Sequence, residues 1–346
     1  MRAAVMRKDH LVVDEVPEPE PGPGQVLVET LACGICGSDL HFLQHAERLA
    51  AMPVEGTAEQ RFDPARDLVM GHEFCAKVVG LGTGVTNLQA GDVVVSIPAI
   101  VSGEGFTTVG YSHDYPGGYG ERMVLMAPIC IKVPDGLDPD LAALTEPMAV
   151  GLHAVAKSAI QPGEAAVVLG CGPVGLAAIA ALRLAGIEPI VAADFSPARR
   201  EHALKLGAHQ AVDPKVEPAV EAWQRIDGAK PLVIFEAVGV PGMLDQAMRA
   251  APRSATRSAR ILVVGVCMED DTIWPLMGIN KELTIQFALG YTPDEFSRTL
   301  GYIADGTLDI AHLITDRVGI AGVPGAFEAL ANPDDHVKIL VKPALG

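Results

Sequence analysis

AAVVLGCGPVGLAAIAAL, residues 165–182, is the stretch that decides the fold. An apolar run ends at Leu169, a glycine-rich turn follows, and a second apolar run predicts a helix from Val174 to Ala185. In such a strand–turn–helix unit the first glycine permits a tight turn, the second lets the backbone approach a pyrophosphate, and the third lets the helix pack closely on the strand. Free N–H groups at the start of the helix bind phosphates. The stretch therefore predicts a dinucleotide site at Gly170, Gly172, Pro173, Val174 and Gly175.

The residue after the next predicted strand bears on the kind of dinucleotide. Asp194 follows the apolar run 189–193. A carboxylate there can accept hydrogen bonds from ribose hydroxyls and would repel a 2′-phosphate, so NAD is favoured over NADP. Arg199 and Arg200 act in the opposite sense, because a nearby arginine can hold a 2′-phosphate. Asp194 could instead cap the helix that follows it, together with Ser196.

The chain divides into regions of different pattern. Strands and helices alternate from residue 151 to about residue 290, which is typical of a doubly wound parallel sheet with right-handed crossovers. Before residue 150, short valine-rich runs between glycines and prolines predict a β-rich domain with few helices. The tail from about residue 291 combines a predicted helix, 292–304, with a predicted strand, 338–342. The sequence thus predicts an α/β protein of two domains.

The composition excludes several classes of partner. The chain has 346 residues, of which 49% are hydrophobic and 20% charged, and its net charge is −17. No cluster of lysine and arginine stands out, so a nucleic-acid partner is not expected. The uncharged run 165–182 is interrupted by three glycines and a proline, so a buried strand, turn and helix explain it better than a membrane span. The N-terminus does not resemble a signal peptide, so we expect a cytoplasmic protein with reduced cysteines.

A candidate metal-binding set consists of four residues that precede the glycine-rich turn in the sequence. Cys36, His72, Glu73 and Glu146 offer one thiolate, one imidazole and two carboxylates. These donors suit a divalent zinc that keeps one coordination position open. A metal that can polarise an alcohol oxygen, just upstream of a dinucleotide fold, points to hydride transfer.

Five further motifs, taken in order with the glycine-rich turn, resemble the zinc-dependent medium-chain dehydrogenases/reductases, the superfamily of alcohol and polyol dehydrogenases. They are GICGSD at 34–39, GHE at 71–73, GDV at 91–93, GGYGE at 117–121 and EP at 146–147. In one departure, Ala76 stands where the family's zinc signature usually has glycine. The resemblance covers essentially the whole chain. It implies a GroES-like catalytic domain formed by residues 1–150 and 291–346, and a Rossmann NAD-binding domain formed by residues 151–290.

The resemblance also implies roles for the metal set. Cys36 and His72 would bind a single catalytic zinc, and Glu73 and Glu146 would compete for the remaining protein position. In some relatives the counterpart of Glu73 binds the metal while the counterpart of Glu146 holds a water beside it. In other relatives the counterpart of Glu146 binds directly.

Three more residues receive roles in the same way. Ser38 would lie beside the substrate oxygen, His41 would be the outer group of a proton relay, and Asp39 would orient His72. Ser38 could instead be a simple turn residue, and His41 a surface histidine.

The cysteines leave further readings to weigh. Cys33 and Cys36 form a Cys-x-x-Cys, which also occurs in redox pairs and in half of a zinc knuckle. A knuckle needs a second pair, and a thioredoxin-like redox motif opens a helix after a strand in a βαβ unit, which this β-rich region does not offer. Cys33 is therefore expected to be a buried core residue. Residues 97–116, where many relatives carry four cysteines for a structural zinc, contain none. We therefore expect one zinc and no structural zinc, as in the sorbitol- and butanediol-dehydrogenase-like branch.

Together these features predict an NAD-dependent oxidoreductase acting on a secondary alcohol or polyol and its ketone. A threonine or other amino-alcohol dehydrogenase is the closest competitor, followed by a primary alcohol or aldehyde dehydrogenase. A zinc-free reductase would lack counterparts of Cys36 and His72, and a non-catalytic Rossmann protein would not need the ligand set. The substrate is expected in the cleft between the domains, near Phe42, Tyr111 and 289–291. The resemblance implies a homodimer or homotetramer, with the strand at 283–289 as a contact.

Overall fold

The computed structural model describes residues 1–51, 62–102, 105–253, 259–332 and 334–346. The chain opens with a hairpin of β1 (Arg2–Arg7) and β2 (His10–Glu15), whose strands pair in antiparallel register. A turn at Lys8, which has a φ of 60°, separates them. The valine-containing run from Val5 to Val16 is therefore divided between two strands.

The elements up to residue 158 form the β-rich part of the molecule. In chain order they are β3 (Gln25–Gly34), α1 (Gly37–Gln44), α2 (Ala46–Ala51), β4 (Glu73–Leu81), β5 (Val93–Ser96), β6 (Ala99–Ser102), β7 (Gly105–Thr108), β8 (Arg122–Met126), β9 (Cys130–Lys132), α3 (Pro139–Ala143) and α4 (Thr145–Ser158). A helix that the sequence did not predict, α1, begins directly after Cys36. The strands before and after it, β3 and β4, are antiparallel, so the region is not a βαβ unit. The Asp39 carboxylate caps this helix by accepting a hydrogen bond from the Cys36 N–H at 3.1 Å.

The central part alternates strands and helices as expected. Its elements are β10 (Ala165–Leu169), α5 (Pro173–Leu184), β11 (Ile190–Ala193), α6 (Pro197–Lys205), β12 (Gln210–Val212), α7 (Ala219–Asp227), β13 (Leu232–Glu236), α8 (Met243–Ala250), β14 (Arg260–Val263), α9 (Pro275–Lys281) and β15 (Thr284–Phe287). The strands form a parallel sheet in the order β12-β11-β10-β13-β14-β15. Helices cover both faces, because Val167 and Ile234 belong to one buried cluster and Val168 and Phe235 to another.

The remaining elements return to the first part of the molecule. They are α10 (Pro293–Ala304), β16 (Ile314–Val318), α11 (Val323–Leu330) and β17 (Lys338–Val341), with short 3₁₀ turns at 127–129, 311–313, 320–322 and 343–345. The second large sheet has the order β16-β17-β3-β4-β5-β9, and β8 also pairs with β3. Strands from both ends of the chain therefore lie side by side in one sheet. None of the described helices is long and apolar enough to cross a membrane.

Candidate active site

Strand register brings the candidate metal donors together. β3 and β4 run antiparallel, and Gly34 lies opposite Glu73. The chain leaving β3 reaches Cys36 two residues later, and His72 immediately precedes β4. As a result, one donor atom from each of Cys36, His72 and Glu73 lies within 4.8 Å of the other two.

The chemistry of this cluster fits a divalent zinc ion. Burial raises the pKa of the Cys36 thiol, and the carboxylate of Glu73 raises it further. Burial opposes protonation of His72, but the Asp39 carboxylate and the Cys36 thiol outweigh it and hold the pKa of His72 well above its usual value. Both pKa values are raised, so the surroundings of these donors favour an added positive charge. A thiolate, an imidazole and a carboxylate are ligands that zinc takes in catalytic sites.

Glu146 lies close to this cluster without belonging to it. It stands in the first turn of α4 and is buried. Burial raises the pKa of Glu146 to about 7, while His72 and the Tyr291 hydroxyl act to lower it and the Glu73 carboxylate acts to raise it. Glu146 is therefore near enough to feel the charges of the cluster, although it is not one of the three grouped donors. The geometry therefore groups Glu73 with Cys36 and His72, and leaves Glu146 adjacent.

A buried lysine that the sequence did not single out holds Glu73. Lys338, the first residue of β17, is 2% exposed. Its Nζ donates to both carboxylate oxygens of Glu73, at 2.8 and 2.6 Å, and to the carbonyl of Ile35 at 2.9 Å. The sequence signal was a lysine at the head of the apolar run KILV, where burial of the strand demands a partner for the charge.

Asp39 is the centre of a second hydrogen-bond network. Its carboxylate is fully buried and accepts hydrogen bonds from the hydroxyls of Tyr119 at 2.5 Å and Tyr111 at 2.7 Å. Burial opposes its ionisation, but His72 and the two tyrosine hydroxyls hold the pKa of Asp39 below its usual value. His72 Nδ1 lies 3.4 Å from Asp39 Oδ1, an ion-pair distance too long for a good hydrogen bond. Asp39 thus faces the imidazole that it is expected to orient.

The expected relay pair is not in direct contact. Ser38 Oγ lies 2.9 Å from the hydroxyl of Tyr111. His41, one helical turn further along α1, is half-buried, and its ring centroid lies 6.3 Å from that of His45. No hydrogen bond joins Ser38 to His41 among the described residues. Tyr111 and Tyr119 are therefore polar members of the site, although Tyr111 was expected only as a packing or pocket residue.

The glycine-rich turn has the strand–turn–helix geometry expected of it. Gly170 has a φ of +89°, Gly172 is the N-cap of α5, and Pro173 is its first residue. Asp194 is joined to this turn, because its carboxylate accepts hydrogen bonds from the N–H groups of Cys171 at 2.7 Å and Ser196 at 2.8 Å.

The side chain of Ser196, rather than Asp194, caps α6 by accepting from the N–H of Arg199. The Arg199 Nε is buried and has no hydrogen-bond partner among the described residues. Arg200 donates instead to the carbonyls of Asp194 and Phe195, at 2.7 and 2.8 Å. Asp194 is therefore a link between the turn and α6, and Arg199 retains an unused donor.

Comparison with known proteins places these features in a family. Residues 22–135 match the alcohol dehydrogenase GroES-like domain, and residues 173–305 match the zinc-binding dehydrogenase domain. The chain is 34% identical to (R,R)-butanediol dehydrogenase of Bacillus subtilis (strain 168), over 96% of each protein. The chain belongs to the zinc-binding dehydrogenases.

Two further comparisons agree with this assignment. The dehydrogenase is 32% identical to L-threonine 3-dehydrogenase of Thermococcus kodakarensis, over 91% of this chain and 90% of the relative. The crystal structure of 2R,3R-butanediol dehydrogenase from Bacillus subtilis superimposes with a TM-score of 0.84 at 33% identity, covering 99% of each chain. The resemblance to the sorbitol- and butanediol-dehydrogenase-like branch is confirmed, as is the fold class of a GroES-like domain plus a Rossmann sheet.

The segment that lacks cysteines forms a small hairpin in this dehydrogenase. β6 and β7 pair in antiparallel register within residues 97–116, while Gly103 and Glu104 lie outside the described residues. Tyr111 and Tyr115 pack against the buried hydrophobic cluster of the β-rich part of the molecule. The side chain of Phe106, in the same segment, is 66% exposed.

Proposed function

We propose that this dehydrogenase interconverts a secondary alcohol or polyol and its ketone, with NAD as cofactor and one catalytic zinc. The observation that carries the proposal is the convergence of Cys36, His72 and Glu73 within 4.8 Å. Ser38 lies on the helix that begins directly after Cys36. When bound, zinc supplies a Lewis acid that acidifies an alcohol, and NAD accepts the hydride.

The candidate metal donors and the residues around them have different proposed roles. Cys36, His72 and Glu73 would hold the zinc, and Asp39 would orient His72 from behind. Glu146, which is buried at the start of α4, would face the open coordination position and hold a water or a substrate hydroxyl there. Ser38 would accept the hydrogen bond of the substrate alcohol, and His41 would exchange protons with solvent.

The preference for NAD rests on Asp194. Its carboxylate stands at the end of β11, against the glycine-rich turn, where the adenosine ribose of a bound dinucleotide would lie. A carboxylate has about four acceptor sites, and two N–H groups occupy part of them. The remaining lone pairs suit ribose hydroxyls and repel a 2′-phosphate. We assign Arg199, with its unused Nε, to the same ribose region.

The polyol reading and the amino-alcohol reading differ only in the substrate. The identity to L-threonine 3-dehydrogenase of Thermococcus kodakarensis, 32%, is close to that of the butanediol enzyme, 34%. Threonine is therefore the second candidate substrate. An assay of cofactor reduction with 2,3-butanediol, sorbitol, threonine and a primary alcohol distinguishes a polyol substrate from an amino alcohol. Each substrate is tested with NAD and with NADP.

Removal of the metal tests the mechanism. Cys36→Ser should abolish activity and tightly bound zinc, while NADH binding measured by fluorescence stays unchanged. Cys267→Ser is the matched control, because this free thiol lies outside the donor cluster. NAD-linked activity that survives in zinc-free protein would show that the mechanism is wrong. Elemental analysis giving two tightly held zincs per chain would contradict a single zinc.

The assembly and location that we propose rest on two further features. β15 is an edge strand of the parallel sheet, and exposed apolar side chains lie on and around it, including Phe287 at 65% and Leu289 at 88%. A second copy of the chain would cover this edge and give a homodimer, or a homotetramer built from such dimers. All six cysteines are free thiols, which suits the reducing cytoplasm.

A further inference from the structure

Tyr111 joins two residues of the site through one hydroxyl. That hydroxyl donates to Asp39 Oδ1 at 2.7 Å and lies 2.9 Å from Ser38 Oγ. The ring is held on two sides, with centroid distances of 4.9 Å to Phe42 and 5.1 Å to His72. The hydroxyl is therefore fixed in position relative to both partners.

The number of available protons decides the direction of these hydrogen bonds. Asp39 Oδ2 accepts from the Tyr119 hydroxyl and from the Cys36 N–H, so this fully buried carboxylate acts as an acceptor. The proton of Tyr111 accordingly lies on the Asp39 side. A phenol has only one proton, so the oxygen of Tyr111 must accept from Ser38.

This direction leaves Ser38 with one role toward a substrate. A serine hydroxyl has one proton and two acceptor lone pairs. Because its proton is committed to Tyr111, Ser38 can only accept a hydrogen bond from an alcohol that enters the site. Oxidation of an alcohol requires loss of its hydroxyl proton, so an acceptor is what the reaction needs at this position.

We propose that Tyr111 is a positioning residue that fixes Ser38 as the hydrogen-bond acceptor for the hydroxyl of the substrate alcohol. The inference rests on the proposed function, since it concerns the same alcohol. The proposal adds a hydrogen-bonded connection from Ser38 through Tyr111 to the buried Asp39. This connection is separate from the proposed proton route from the site to solvent through His41.

Tyr111→Phe tests the proposal, because it removes the hydroxyl and keeps the ring between Phe42 and His72. We expect kcat/KM for alcohol oxidation to fall about tenfold, as for the loss of one hydrogen bond. Zinc content and NADH affinity should be unchanged. An equilibrium measurement accompanies the kinetics: titration of the alcohol into the enzyme–NADH complex, followed by NADH fluorescence, should show weaker alcohol binding by a similar factor.

A double-mutant cycle with Ser38→Ala distinguishes positioning from a structural role. Without the Ser38 hydroxyl there is nothing for Tyr111 to orient, so in the Ser38→Ala background Tyr111→Phe should keep only the smaller part of its effect on kcat/KM and alcohol binding that passes through Asp39. Tyr119→Phe removes a hydroxyl from the same carboxylate without touching Ser38, so its effect should persist in that background. Tyr115→Phe, in the same segment, controls for loss of any tyrosine hydroxyl.

The outcomes separate the inference from the function on which it rests. Additive losses for Tyr111→Phe and Ser38→Ala, or no loss for Tyr111→Phe, would overturn the role of Tyr111 while the wild type remains an active dehydrogenase. A wild type with no NAD-linked activity on the substrate panel would overturn the proposed function itself. If Tyr111→Phe only disturbs folding, its loss of thermal stability will match that of Tyr119→Phe and its full effect on kcat/KM will persist without Ser38, which also contradicts the proposal.

Discussion

The carboxylate of Glu73 is a candidate zinc ligand and also forms an ion pair with the ammonium group of Lys338. The ion pair between Glu73 and Lys338 is almost completely removed from solvent, with side chains 1% and 2% exposed. A charge buried this deeply is tolerated only when it is paired. Lys338 therefore supplies the opposite charge that pairs with the Glu73 carboxylate and holds it in place.

Loss of Lys338 should consequently destabilise the whole protein. In Lys338→Met the Glu73 carboxylate stays buried without its partner, and we expect unfolding free energy to fall by about 3–5 kcal/mol. Urea denaturation followed by circular dichroism measures this. Lys77→Met is the control, because its pair with Glu29 is exposed and contributes about 0–1 kcal/mol.

The partner substitution completes the test. Adding Glu73→Gln to Lys338→Met removes the unpaired charge, so the double variant should be more stable than Lys338→Met alone. Equal stabilities for the two proteins would contradict the burial argument.

The sequence alone identifies the candidate metal donors but not the residues that hold them in place. Cys36, His72 and Glu73 stand in short motifs whose order is informative. Lys338 and Tyr111 reach the site over 265 and 72 residues of chain, and only strand register and loop path determine such contacts.

Among the elements, the turn after β10 and the first turn of α5 each contain a glycine, and the two glycines meet different structural demands. A Cβ on Gly175 would lie 1.9 Å from the carbonyl oxygen of Gly170, whereas a Cβ on Gly172 would meet nothing within 4 Å. Gly172 also has a φ of −67°, which any residue adopts. Gly175 is therefore needed for folding, and Gly172 is expected to be needed only for the cofactor.

Two alanine substitutions separate these needs. Gly175→Ala should lower the thermal unfolding midpoint of the ligand-free protein, because helix and strand must move apart. Gly172→Ala should leave that midpoint unchanged and weaken NADH binding, because its methyl group would stand where the pyrophosphate approaches. A Gly172→Ala protein with wild-type NADH affinity would count against the proposed cofactor site.

The start of α10 carries a pH-dependent contribution to stability. Glu295 accepts hydrogen bonds from the Thr292 N–H at 2.7 Å and from His153 Nδ1 at 2.9 Å, which ties α10 to α4. Burial opposes ionisation, but these donors hold the pKa of Glu295 below its usual value. A lowered pKa in the folded state stabilises the protein above the unfolded pKa of about 4.3. That stabilisation is lost as pH falls through the folded pKa.

Glu295→Gln should therefore cost stability at neutral pH and little in acid. We expect a loss of about 1–2 kcal/mol at pH 7. The difference from wild type should shrink once the pH falls below about 4. Denaturant titrations of both proteins at a series of pH values measure this. A difference that stays constant with pH would mean that the charge of Glu295 contributes nothing.

Strands that are buried on both faces were predictable from the sequence, whereas an exposed strand and a short helix were not. β10, β11, β13 and β14 were predicted because strands covered on both faces are continuous apolar runs. β16 was missed, since its three central residues are exposed and its position depends on pairing with β17. α1 was missed because eight mixed residues, GSDLHFLQ, give no clear helical period.

For the whole molecule, the open edge at β15 is the feature with the largest consequence. Phe287 lies on this edge, and Ile279 and Trp274, exposed by 72% and 50%, lie on and next to α9. Phe287→Asp places a charge on the proposed contact and should shift the protein toward monomers in light scattering. Leu204→Asp, an exposed leucine on α6, is the control and should leave the mass unchanged. A monomeric wild type would refute the proposed assembly.

The position of β17 beside β3 links metal binding to the order in which the ribosome makes the chain. Lys338 is synthesised 265 residues after Glu73. At about 5–20 residues per second, the growing chain carries Cys36, His72 and Glu73 for roughly 13–53 seconds before their neighbouring ammonium group exists. Throughout that interval the donors are present, but Glu73 cannot be buried as an ion pair. The proposed metal centre would therefore be completed late in synthesis, and proteolytic loss of the strand around residue 340 would damage it as directly as loss of a ligand.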